Sequence, residues 1–326
     1  MPQRFDAIII GGGQAGLATA HVALTLGLRP VLLEASPSTA GSWPHYYESL
    51  TLFSPARRSA LPGATFPGDP DGYPARDEQG RRYEVVAESG ESVAAPIVVS
   101  ATGAFSRPHR PELPGLSDFT GMVLHSSQYK RPEEFAGQRV IIVGGGNSAV
   151  QIAVELAEHA RVTLATRNPL RFMPQRVLGI DMHIWLQRTG LDAAGWARPL
   201  LTGGKGTPVF DTGSYRAQIA TGNPDRRPMF TSLDGGHVVW QDGTRERADV
   251  LLATGFRPDS GHLEELAALD RDGQPLHRGG LSSTHPGFGY VGLEWQRSFA
   301  SATLRGVGTD ARYVLTHLLK QTRTGT

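Results

Sequence analysis

The chain has 326 residues, carries 32 Lys and Arg against 31 Asp and Glu, and contains no cysteine. A net charge of +1 gives no basic footprint for a nucleic acid. The missing cysteines exclude disulfides, cysteine metal sites and a CxxC redox centre, and fit a reducing cytoplasm; the length allows two domains with real cores.

The first element is the run Ala7 to Ile10, a short β-branched stretch that reads as a buried strand and stops at glycine. Gly11, Gly13 and Gly16 then fit G-x-G-x-x-G: a tight turn, a close backbone approach to a pyrophosphate, and close packing of the next helix. Gln14 to Leu26 is that helix, and its first-turn N–H groups make an anion site. Val31 to Leu33 form a second strand closed by Glu34, where a carboxylate holds a ribose 2′-hydroxyl and repels a 2′-phosphate. The ligand expected here is FAD or NAD. Ala7 to Leu28 holds no Asp, Glu, Lys or Arg, but three consecutive glycines, Gln14, Thr19 and His21 interrupt it, and no basic flank or cleavage pattern frames it. It is read as neither membrane span nor signal peptide, so the expectation is a soluble cytoplasmic protein.

Residues 35–78 are dense in proline, glycine and aromatics, which forbids long helices. Trp43, Tyr46, Tyr47 and Phe53 have the character to wall a flat apolar ligand, or simply to pack the loop itself. Tyr83 to Val86 and Ile97 to Ser100 read as strands, the second leading into Ala101-Thr102-Gly103. Arg107 to Pro114 is a proline-rich linker. Arg139 to Val143 is another buried strand, opening a second loop in which Gly144, Gly146 and Ala149 fit G-x-G-x-x-A around Asn147 and Ser148. A helix over Val150 to His159 and a strand over Val162 to Ala165 follow. Thr166-Arg167 stands where Glu34 stood, and a guanidinium there suits a 2′-phosphate, hence NADPH.

The two halves repeat one plan, ending each time in Ala-Thr-Gly. The second copy runs through a hairpin, Val238 to Trp240, turn Asp242-Gly243 and Ala248 to Ala253, into Thr254-Gly255. Helices are expected over Val177 to Arg188 and Asp211 to Ala220, a strand over Tyr290 to Leu293, and a closing helix over Ala311 to Lys320 with Asp310 as its cap. The two Ala-Thr-Gly copies read as crossings between domains.

With both loops placed, the chain resembles the flavin-containing monooxygenases of the short bacterial type. Phe119, Gly121, His125 and Tyr129 fall on that family's F-x-G-x-x-x-H-x-x-x-Y/F signature; related Baeyer–Villiger enzymes usually carry Trp at the last position, so Tyr129 favours heteroatom oxygenation. GGGNSA, LATGF and SATLRGVG extend the likeness over nearly the whole chain. The resemblance implies two Rossmann-like three-layer α/β domains: a discontinuous FAD domain, residues 1–134 and 256–326, and an inserted NADP domain, 135–255. It implies FAD on the first loop (Gly11, Gly13, Gln14, Ala15, Gly16, Glu34) with Trp43, Thr102, Gly103, Ala302 and Thr303. NADPH falls to the second loop (Gly144, Gly146, Asn147, Ser148, Ala149) with Thr166, Arg167, Thr254 and Gly255. The implied chemistry is hydride transfer to flavin N5, formation of a C4a-hydroperoxyflavin from O2, and oxygen transfer to a small sulfide or amine. His125 would position the linker, and no acid–base residue and no metal is implied.

Two departures stand out. Family members of the mammalian type place an Asn near the flavin where this chain has LTLFSP, which leaves Ser54 to help. Relatives also continue from a motif like YPARDE into a helix and strand, whereas Glu78 runs directly into Gln79-Gly80-Arg81-Arg82-Tyr83. A crossover and third parallel strand need about a dozen residues or more, so the first sheet is read as shortened. Three further readings stay open: an NAD(P)H-dependent flavin reductase or oxidase without oxygenation, ketone oxygenation, and a degenerate nucleotide-binding protein. The sequence does not fix the oligomeric state, and a homodimer stays open.

Overall fold

Two apolar strands, each ending at a glycine loop, seed two sheets, one mixed and one wholly parallel. The computed structural model describes residues 5–35, 46–52, 54–64, 69, 71, 93–197, 208–212, 214–264 and 266–324. In the first sheet Ala7–Ile10 (β1) lies between Pro30–Leu33 (β2) and Ile97–Ser100 (β3), all parallel, and Phe288–Tyr290 adds to β3. Two short antiparallel strands, His277–Arg278 and Leu281–Ser282, complete six strands. Strand alternation brings Ala7, Ile9, Ile97 and Val99 into one core with helix Gln14–Thr25 (α1) and the closing helix Leu304–Thr324.

Arg107–Pro108 (β4) leads to Val123–His125 (β5), and β5 opens the second sheet. Its other members are Arg139–Val143 (β6), Arg161–Thr166 (β7), Asp225–Pro228 and Asp249–Leu252, all parallel, in the order 225–228, β7, β6, 249–252, β5. Val140, Ile142, Val162 and Leu164 meet helix Asn147–Leu156 (α2) on one face. Ile141, Val143, Val250 and Leu252 meet Leu233, Val238 and Trp240 from a three-stranded ribbon on the other. Both faces are covered at the centre of the sheet, which is why β6, β7 and 249–252 are largely apolar runs; each fully buried side chain contributes roughly 1.5–3 kcal/mol.

Several sequence expectations change. The partner of His237–Val239 is Arg245–Arg247, not Ala248 to Ala253; the all-apolar run at 250–252 needs two covered faces and takes a central place instead. Between 177 and 188 only Met182–Arg188 (α3) is helical. Ahead of it Phe172–Pro174 (β8) precedes a hairpin, Arg176–Val177 (β9) with Ile180–Asp181 (β10), turned by Leu178 and Gly179 at φ 52° and 75°. Asp211 ends a strand, Val209–Asp211, and the helix there is Tyr215–Ala220. The late strand is Phe288–Tyr290.

The closing helix begins at Leu304, so Asp310 is not its cap but a buried interior residue accepting from Arg297 at 3.0 Å. Gly306 and Gly308 precede the helix expected from Ala311, yet they lie inside it: a Cβ at Gly306 would lie 2.0 Å from Ala300 O, and one at Gly308 2.3 Å from Pro62. β5 pairs within the second sheet, and Arg107–Pro108 pairs antiparallel with Phe256–Arg257 where the chain passes between the two sheets. The strand expected over Tyr83 to Val86 and the join at Glu78 to Arg82 lie outside the described residues, as do Trp43 and Phe53.

Candidate functional site

Each glycine loop divides its glycines by task. Gly11, at φ 106°, would put a Cβ 2.8 Å from Ala101 O, and a Cβ on Gly16 would sit 1.8 Å from Gly11 O. Gly144, at φ 145°, meets Ala253 O at 2.3 Å in the same way. These positions let backbone pass backbone. Gly13 and Gly146 differ: each is the N-cap of its helix, without a side-chain cap, and a Cβ there would meet nothing within 4 Å. Two helix starts with free N–H groups therefore open onto empty space, which fits two pyrophosphates.

That space is one cavity of about 1450 Å³ lined by both loops. It exceeds the roughly 300–1,000 Å³ of an ordinary small-molecule pocket, so it has room for two large ligands. Gln14, Ala15, Glu34, Thr102, Gly103, Asn147, Ser148, Thr166, Arg167, Thr254, Gly255, Ala302 and Thr303 all line it, as do Tyr46, Tyr47 and Ser54. Gly16 lies beneath the loop, and Ala149 is wholly buried in the α2 packing. The Glu34 carboxylate accepts from Gly12 N–H, which holds it at the loop. Gln14 Nε2 donates to Ala302 O at 2.7 Å, joining the first loop to the start of the closing helix. Asn147 Oδ1 accepts from Phe210 N–H at 2.9 Å beside the second. Thr166 accepts from Arg226 Nε at 2.7 Å, while Arg167 is exposed at the rim. Ser54 shares a 2.8 Å hydrogen bond with Ser59. Burial holds the Tyr46 phenol up at about 12, so it stays neutral.

The signature residues sit around the crossings. His125 is fully buried; its Nδ1 accepts from Ser127 N–H at 3.1 Å, which leaves Nε2–H to donate to Gly255 O at 3.0 Å. Phe256 meets the ring edge-on at 5.1 Å. Burial keeps this imidazole below its ordinary pKa, against the pull of the Gly255 carbonyl. A Cβ on Gly121 would strike the Phe119 ring at 2.6 Å, so those two residues specify one another. Tyr129 is buried in the α2 core, donating to Glu155 at 2.8 Å, and is not among the residues lining the cavity.

The sequence reading missed a second group. His183, Phe210, Trp295, Phe299 and Arg305 also line the cavity, brought there by α3, the strand at 209–211, the segment before the closing helix and that helix's first turn. Arg305 pairs in bidentate fashion with Asp192 at 2.9 and 3.0 Å, both largely buried. No regular spacing announced these residues; only the ionisable Asp181-Met-His183 triplet in an apolar helix start was visible. Among the described residues no cluster of His, Asp and Glu suits a metal, and no helix is long and apolar enough to cross a membrane.

A cavity shared by two Rossmann-like loops defines a two-nucleotide oxidoreductase. Residues 76–187 match the pyridine nucleotide-disulphide oxidoreductase family. An uncharacterized CzcO-like oxidoreductase of Geobacillus kaustophilus is 30% identical, over 96% of this chain and 98% of its own. The solved flavin-containing monooxygenase of Stenotrophomonas maltophilia is 30% identical, with a TM-score of 0.81 over 99% of this chain and 100% of its own. The indole-3-pyruvate monooxygenase YUCCA1 of Oryza sativa is 29% identical over 77% and 76%. The chain belongs to the flavin-containing monooxygenase family, whose cofactors are FAD and NADPH.

Proposed function

We propose that this protein is an FAD- and NADPH-dependent monooxygenase acting on a small soft nucleophile, a sulfide or an amine. The observation that carries this is the single cavity onto which both uncapped helix starts open. FAD would lie with its pyrophosphate on Gly11 to Gly16 and its ribose on Glu34. NADPH would lie on Gly144 to Ala149 with its 2′-phosphate on Arg167. Bound together, the two cofactors supply the hydride and the oxygen-activating ring.

The chain's own residues bind, orient and exclude water. Gln14 fixes the first loop to the closing helix, so both sides of the flavin cleft move as one piece. His125 pins the second crossing through Gly255 O, where a left-handed glycine, φ 79°, brings backbone to the cavity wall. Tyr46, Phe210, Trp295 and Phe299 give apolar walls that displace water from the reacting region. Ser54 is the hydroxyl on the loop where mammalian-type members carry Asn.

The test is product analysis. Purified protein with FAD, NADPH and O2 is offered sulfides, amines and ketones. Sulfoxide or N-oxide formed in step with NADPH consumption is expected. NADPH oxidation that yields only peroxide would return the protein to the reductase or oxidase class.

A further inference from the structure

Asp181 and His183 form a buried pair that the binding of two nucleotides does not use. The Asp181 carboxylate accepts the His183 main-chain N–H at 2.8 Å, and the same oxygen lies 3.0 Å from Nδ1 of the ring. Its other oxygen accepts from Gln175 Nε2 at 2.6 Å. Asp181 and His183 are each only 4% exposed. A carboxylate can only accept, so Nδ1 carries the hydrogen and Nε2 is the lone-pair nitrogen of the neutral ring. The ring packs on Phe210 at 4.9 Å and lines the cavity. Nε2 has no protein partner among the described residues. A histidine whose far nitrogen is fixed by a carboxylate and whose near nitrogen is open has the build of a proton carrier. The other charged residues on the cavity wall from adjoining elements are Arg171, Glu294 and Arg305, the last held by Asp192.

We propose that His183 is the acid–base residue of this cavity, giving from Nε2 the proton that the net reaction consumes. This rests on the redox reading above. For a sulfide substrate the balance is NADPH + H⁺ + O2 + sulfide → NADP⁺ + H2O + sulfoxide. One oxygen atom forms the new S–O bond, and the other leaves as water with the hydride hydrogen and the proton from His183. Nε2 then regains a proton from solvent, while Asp181 holds Nδ1–H and balances the imidazolium charge.

Two measurements test it. In ¹⁵N-histidine spectra of the protein without cofactors, the resonances lost in His183→Gln should belong to an Nδ1–H ring; an Nε2–H ring would overturn the proposal. In flavin-loaded protein, His183→Gln and His183→Ala should lower the maximal NADPH oxidation rate about 100-fold, the lower end for acid–base catalysis. Added imidazole should restore part of the His183→Ala rate, and Asp181→Asn should fall between. A rate within about twofold of wild type at equal flavin content, or a loss that neither imidazole nor lower pH relieves, would overturn it. Through-bond assignment of His183 in the wild-type spectrum decides the tautomer even if the variants fail to fold. If wild type oxidises NADPH but oxygenates nothing, the monooxygenase reading fails while this test stands, because NADPH + H⁺ + O2 → NADP⁺ + H2O2 also consumes one proton.

Discussion

Gly13 and Gly16 stand three positions apart in one motif, yet they should fail differently. A Cβ at Gly16 runs into Gly11 O, so a larger residue there damages the fold. Gly13 has extended backbone, φ −71°, and free space for a side chain, so Gly13→Val should fold with its thermal unfolding nearly unchanged. What it should lose is the flavin, because the new methyls occupy the pyrophosphate's place; retention of full flavin absorbance would refute the assignment. Arg167 tests the second loop. It is exposed, so its loss costs the fold little, but a charged hydrogen bond to a phosphate is worth roughly 1.5–3 kcal/mol. Arg167→Ala should therefore lower the NADPH-over-NADH ratio of kcat/KM by about 10- to 150-fold. An unchanged ratio would move the role to Arg171, since Thr166 is already engaged by Arg226.

At the scale of elements, the strands on either side of the two glycine loops were legible because local chemistry determines them. A β-branched run stopped by Gly11 or Gly144 has few alternatives. The closing helix was half legible, since Gly306 and Gly308 lower helix propensity and only their neighbours Ala300 and Pro62 explain them. The His183 group was not legible, because it joins residues from 175 to 305 that meet only through the packing of α3 against Trp295 and Phe299. Desolvated imidazoles give these elements a shared pH response. Desolvation holds buried His125, half-buried His277 and the more exposed His262 below the ordinary value near 6.5. Below that value the unfolded chain binds more protons than the folded one, so stability is full above it and is lost as pH falls toward the folded pKa values. The unfolding temperature should drop between about pH 7.5 and about pH 5.5, and a constant value would mean that these rings are charged in the fold.

For the whole molecule, the first unit decides how tightly FAD is held. Among the described residues β2 is the outer strand of its sheet, and the alignment with the Geobacillus relative runs over 345 positions against 326 residues here. The relative therefore carries residues without a counterpart in this chain. If they are the crossover helix and strand missing after Glu78, apolar cover worth roughly 1.5–3 kcal/mol per side chain is absent beside the adenine. Partial flavin occupancy on purification is expected, and a helix–strand insert between Glu78 and Gln79 should tighten FAD in a titration; no gain would refute the idea. The crossings carry a mechanical consequence. Arg107–Pro108 and Phe256–Arg257 run side by side in one ribbon, and His125 is bolted to it at Gly255. Each unit also throws a strap onto the other: Tyr47 donates to Gln151 on α2 at 2.6 Å, and Asp192 grips Arg305 on the closing helix. A body joined by a ribbon and laced in this way can twist about that ribbon only as far as its lacing allows. Gln151→Ala and Asp192→Ala, which cut those straps, should each speed NADP⁺ release in stopped flow; unchanged rates would mean that release needs no turning about the ribbon.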